Sequence, residues 1–129
     1  AVNTGDVLIA MSGATTGKVG RYNESQTSIL NQRVGKFVSI KDKSDLGFVF
    51  QFLKTEYFQN EVLSNSPGGA QPNISGKDIE RVKHSFPSFS EQKKVANFLT
   101  EIDQKIDLAW STLEQTKAFK KGLLQKMFV

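Results

Sequence analysis

Cysteine is absent from the 129 residues, so no disulfide frame, thiolate chemistry or cysteine-based zinc site is possible. Histidine occurs once, at His84. That leaves no second imidazole for a metal and no recognisable Ser-His-Asp spacing. No apolar run approaches the roughly 20 residues that cross a bilayer. No signal peptide is visible and the sequence opens on Ala1, not Met, so a cytoplasmic fragment is expected. There is no internal repeat and no low-complexity segment. Strong charge is also lacking. The net charge is +4 and the pI about 9.4. Residues 1–89 carry 10 Lys and Arg against 8 Asp and Glu, and residues 90–129 carry 7 against 5, so each part is +2. A balance this mild is compatible with nucleic acid and equally with none.

What is present is periodicity. From Ser90 to Phe128 no proline intervenes. Val95, Leu99, Ile102, Ile106, Ala109 and Leu113 recur at alternating spacings of four and three. Thr116 and Lys120 continue the rhythm, followed by Leu123 and Met127. This is the heptad of a helix with one apolar seam. Ser90 is the expected cap, with Glu91 in a first turn that favours negative charge. At 1.5 Å per residue the rod would be about 58 Å long. Burying its seven firmly apolar seam residues would be worth about 10–20 kcal/mol as an upper range, so a partner helix is expected. Packing wholly on its own domain is the alternative. Phe98, Trp110, Phe119 and Leu124 widen the seam, Thr116 and Lys120 could set register, and Gly122 could bend or end the rod.

Ahead of the helix the pattern is mixed. Val7–Met11 reads as a buried strand, Ser12–Gly17 as a loop and Lys18–Tyr22 as a returning strand. Ser28 to Ile40 suggests one or two more strands. Ser44 or Asp45 is placed to cap a helix carrying Phe48, Val49, Phe52 and Leu53, and a second helix restarts near Thr55. Asn65 to Ile74 is an irregular loop, Ser75 with Asp78 resembles a capping box, and Val82–Phe86 reads as a last strand ended by Pro87. The expectation is an α/β (α+β) small globular domain, residues 1–89, followed by a long C-terminal helix, residues 90–129, that forms a coiled coil.

Catalytic motifs are missing. Gly13-Ala14-Thr15-Thr16-Gly17-Lys18 looks like a phosphate loop but has three residues between its glycines where four are required, and Val19 where Ser or Thr should follow Lys. A strand follows it, so no helix dipole would face a phosphate. A hairpin tip that touches nucleic-acid backbone and a plain turn both remain open. In the second glycine loop, Gly68 and Gly69 would allow close approach, while Gln71 and Asn73 can pair with adenine edges. The alternative is a loop whose amides satisfy their own backbone. His84 reads as a solvated strand residue, and Glu91-Gln92-Lys93 lacks the further carboxylates a nuclease needs.

The order of these pieces resembles one family. Gly5-Asp6-Val7-Leu8-Ile9 with Ser12-Gly13 is similar to the strand and turn of type I restriction-modification specificity (S) subunits. The Phe48–Leu53 helix and the loop through Asn73-Ile74-Ser75 fit the same pattern. Phe86-Pro87-Ser88-Phe89-Ser90-Glu91-Gln92-Lys93 resembles the entry to the family's spacer helix. Ile102-Asp103-Gln104-Lys105-Ile106 and Lys120-Lys121-Gly122-Leu123-Leu124-Gln125-Lys126-Met127-Phe128 resemble its end. The resemblance implies a non-catalytic, sequence-specific reader of double-stranded DNA. It implies docking of methyltransferase subunits, which use S-adenosylmethionine, and restriction subunits, which use ATP and Mg, with no cofactor in this chain. The family pattern carries more chain before the Gly-Asp strand, two domains and two helices. Half a subunit is therefore expected, pairing as a homodimer or with a second half through the helix. Lys18, Arg21, Arg33, Lys36 and Lys77 become candidate phosphate contacts. Ser12, Thr15, Thr16, Gln71 and Asn73 become candidate groove contacts, with Gly13, Gly68 and Gly69 permitting approach. A coiled-coil interaction module without DNA binding and a nucleotide-binding enzyme are the competing readings.

Overall fold

The computed structural model describes residues 1–64 and 72–128. Its sheet has three strands, β1 (Val7–Ala10), β2 (Val19–Arg21) and β3 (Val34–Phe37), in the order β2-β1-β3 with both pairings antiparallel. β1 takes the centre because its alternate residues Val7 and Ile9, 0% and 1% exposed, both face the core. Helices α1 (Leu46–Leu53), α2 (Glu56–Ser64) and α3 (Gly76–Arg81) supply the other wall. Leu53, Phe58, Val62 and Ile74 complete the buried cluster.

Local chemistry fixes the helix starts. Asp45, in extended backbone, accepts the Phe48 amide at 2.9 Å and caps α1. Ser75 and Asp78 form the expected capping box, Asp78 Oδ2 taking the Ser75 amide at 2.8 Å. The last helix, α4, runs unbroken from Phe89 to Met127, 39 residues, and continues through Gly122. Its cap is Ser88, not Ser90: the Glu91 amide donates to Ser88 Oγ at 3.3 Å. Pro87 therefore lies outside the helix, where its missing donor costs nothing.

One strand expectation changes. Val82–Phe86 forms no strand. Its rings are taken up elsewhere: His84 stacks on Phe52 at 5.1 Å, Phe86 meets Phe52 at 5.0 Å and Phe48 at 5.1 Å, and the Tyr57 hydroxyl donates to the Lys83 carbonyl. Aromatic packing against α1 and α2 replaces ladder pairing, and His84 sits in this cluster rather than on a strand. Between Ser28 and Ile40, where one or two strands were expected, one forms, β3, and Ser28 makes an isolated bridge with Val2.

The chain divides into two compact units, Ala1–Ala96 and Asn97–Val129. The first two turns of α4 thus belong to the first unit, where Gln92 and Ala96 are buried. In the second unit the seam is uncovered: Ile106 is 48% and Leu113 44% exposed.

Candidate nucleic-acid interface

Antiparallel pairing decides which loops meet. β1 ends where β3 begins, with Ala10 opposite Val34, and the β1–β2 turn leaves from the same end. There the Met11 amide donates to the Arg33 carbonyl at 2.8 Å, and the Met11 carbonyl accepts the Ile74 amide at 2.9 Å. Ser12 and Asn73 form an isolated antiparallel bridge. Thr16 Oγ1 donates to the carbonyls of Gly13 (2.7 Å) and Pro72 (2.8 Å). Three segments far apart in sequence are thereby joined at one end of the sheet. Met11, Ser12, Gly13, Gln32, Arg33, Asn73 and Ile74 line a concavity of about 400 Å³ there.

The hairpin tip is held rigidly. Gly13 and Gly17 take φ of 86°, a region that L side chains resist. At Gly17 space is missing as well: a Cβ would lie 2.8 Å from Gln59 Oε1. The Gln59 amide donates to the carbonyls of Gly17 (2.9 Å) and Leu53 (2.8 Å), tying the tip to α1 and α2. The amides of Thr16, Gly17 and Lys18 donate to Gly13, Ala10 and Thr15. They are spent inside the turn, so no phosphate-cradling nest forms from them. This geometry opposes the nucleotide-loop reading.

Four of the five predicted basic residues separate into two groups. Lys18 and Arg33 are exposed at the clustered end, and among the described residues no carboxylate pairs with either. Lys36 and Arg21 lie towards the other end, opposite Leu8 and Val7. Lys36 Nζ is 2.5 Å from Asp6 Oδ2, and the Arg21 guanidinium lies 4.9 Å over the Phe50 ring. The Asp6 carboxyl is held below its ordinary range, first by the Asn3 amide and then by Lys36. Lys77 is exposed in the first turn of α3, and Thr15 is exposed in the hairpin turn. Gly68, Gly69 and Gln71 lie outside the described residues.

Gln32, next to Arg33 in the lining, escaped the sequence reading. Its signal was the polar run Asn31-Gln32-Arg33 between Leu30 and Val34. Asn31 Oδ1 accepts the Arg33 amide at 2.8 Å, an Asx turn that sets the approach to β3. Along α4, Val95, Ile102, Ile106, Leu113, Leu123 and Met127 are all exposed, Leu99 is half-buried, and Ala109 is exposed beside Leu113.

Comparison with known proteins adds a family. Residues 1–117 match the type I restriction modification DNA specificity domain. The chain is 32% identical over 127 residues to the type I restriction enzyme MjaVIII specificity subunit of Methanocaldococcus jannaschii, covering 95% of this chain and 30% of that protein. It is 33% identical over 124 residues to the putative MjaX specificity subunit of the same organism, covering 95% and 28%. It is 26% identical over 126 residues to the EcoKI specificity subunit of Escherichia coli K12, covering 92% and 27%. The chain thus spans less than a third of the length of these relatives.

Proposed function

Because this chain belongs to the type I restriction modification DNA specificity family, we propose that it reads duplex DNA with the sheet end described above. Lys18 and Arg33 contact phosphates and set position. Ser12, Thr15, Gln32 and Asn73 face base edges. The observation that carries this reading is the joining of Ser12, Arg33 and Asn73, through backbone hydrogen bonds and a bridge, into one concave surface lined by Arg33, a cation that pairs with no carboxylate among the described residues. A rigid, backbone-held surface limits the ordering entropy lost on binding. Selection of bound duplexes from a random pool tests it. A shared base motif, with affinity falling steeply in salt, is expected. Equal retention of every duplex at every salt concentration would overturn it.

In the same reading the exposed heptad of α4 pairs with a second copy or a second half-subunit as a coiled coil. Two heads then address a split site, and helix length sets the distance between its halves. The chain performs no chemistry and holds no cofactor. Methyltransferase and restriction subunits dock on the assembly, bringing S-adenosylmethionine, ATP and Mg. A folded dimer that retained no duplex would favour the interaction-module reading.

A further inference from the structure

Gln59 lies on α2, half-buried, and its carboxamide nitrogen is spent at a single joint. It donates to the Gly17 carbonyl at 2.9 Å and to the Leu53 carbonyl at 2.8 Å. Leu53 is the last residue of α1, so its carbonyl is one that the helix leaves without an internal partner. Gly17 ends the hairpin tip and is buried. One side chain thus fastens the tip to the end of α1 and to α2. The contact also demands glycine: a Cβ on Gly17 would lie 2.8 Å from Gln59 Oε1.

The tip needs such an anchor. β2, which follows it, is a three-residue strand at the edge of the sheet. On one side Thr16 Oγ1 and the Ser12–Asn73 bridge tie the tip to residues 72–73. The hydrogen bonds inside the turn fix its shape but not its tilt. Leu63 packs beside Gly17, yet apolar packing alone lets a tip slide, whereas two directed hydrogen bonds resist it. Ser12 and Thr15 ride on this tip, and contacts to base edges need placement within about 0.5 Å.

We infer that Gln59 is a positioning residue for base discrimination: its carboxamide fixes the tilt of the hairpin tip, and so which bases Ser12 and Thr15 accept. With its N–H groups spent it has no donor left for a phosphate or a base, and it acts through the tip. This rests on the DNA-reading proposal above. Gln59→Met keeps the side chain's length and packing and removes both hydrogen bonds. Its affinity for the selected duplex is compared with that for duplexes altered at each base of the motif in turn. At one or more positions the ratio should fall by about tenfold. The log–log salt slope, which counts phosphate contacts, should keep the parent's value. Plain destabilisation would lower the active fraction and weaken every duplex alike, leaving the ratios unmoved. Because the chain has no native cysteine, spin labels on Thr15→Cys and Asn60→Cys, both at exposed positions, report the tilt directly. Their distance distribution should be wider in Gln59→Met than in the parent.

Unchanged ratios at every position overturn the inference and leave DNA reading intact. Altered ratios with an unmoved distance distribution overturn it as well, since Gln59 would then act on the DNA itself. A parent that discriminates among no duplexes defeats the DNA-reading proposal and this inference together. Should Gln59→Met not fold, Gln59→Asn decides: it keeps the carboxamide but is one methylene too short to reach both carbonyls. Discrimination should again fall at some position, and parent-like ratios throughout would refute the joint.

Discussion

The two compact units spend the same residue types in opposite ways. In Ala1–Ala96, Val7, Ile9, Phe58 and Val62 are almost wholly buried, each covered by elements of its own chain. In Asn97–Val129, Ile102, Ile106, Leu113 and Leu123 remain open along one stripe. The first unit's apolar residues fall at strand alternation or on short helices that meet each other. The second unit's fall at heptad spacing on a single helix, which has no second layer to close on. The lesson is that one unit encloses its apolar residues while the other leaves them open, as the proposed pairing requires. Stability and self-association should therefore respond to different residues.

Truncation inside the first unit should give the largest effect. Phe58→Ala empties a fully buried ring site and is expected to cost about 3–5 kcal/mol of unfolding free energy, read from urea titration. Leu108→Ala, at a residue 69% exposed on α4, should stay within about 0.5 kcal/mol. Comparable losses at both sites would erase the distinction between the units.

Next comes Ile106→Asp, which puts a charge in the stripe. Self-association should weaken at least 100-fold, about 2.8 kcal/mol, and the mass by light scattering should fall to the monomer while the first unit's unfolding is unchanged. A mass that does not move refutes the seam as an interface.

Much of this was legible in the residues. Val7–Met11 announced the central strand, Ser44 or Asp45 and Ser75–Asp78 announced helix starts, with Asp45 the cap used, and the heptad announced α4. What escaped depended on tertiary partners. Val82–Phe86 has a strand's composition, but Phe48, Phe52 and Tyr57 draw its rings into an aromatic cluster. Ser90 was the cap expected from the residues, whereas the fold starts the helix two residues earlier and uses Ser88. The candidate site was read as a set of loops, several of which do meet. Yet Arg21 and Lys36 look like Lys18 and Arg33 in sequence, because a cation's partner 29 or 30 residues away leaves no local trace.

That division yields a smaller, sharper prediction. Lys18→Ala or Arg33→Ala should each reduce the log–log salt slope of DNA binding by about 0.9. Arg21→Ala and Lys36→Ala should change it less, since Phe50 and Asp6 already occupy those cations. Equal slopes for all four variants would place the DNA elsewhere on the head.

The smallest effect belongs to the capping box, and pH gives it a sign. The Asp78 carboxyl is held below its ordinary range, first by the Ser75 hydroxyl, then by the Ser75 amide, with a lesser contribution from Arg81. Unfolding returns it to an ordinary carboxylate value. The ionised form therefore favours the fold. Its contribution is complete above about pH 4 and is lost as pH falls through the lower folded-state value. Asp78→Asn keeps the shape and discards the charge, so at neutral pH it should melt slightly below the parent. In acid, once the parent's own carboxyl is protonated, the two curves should meet. Asp6 is lowered as well, but it titrates identically in both proteins and drops out of the difference. A gap that persists in acid would mean that geometry, not charge, holds the start of α3.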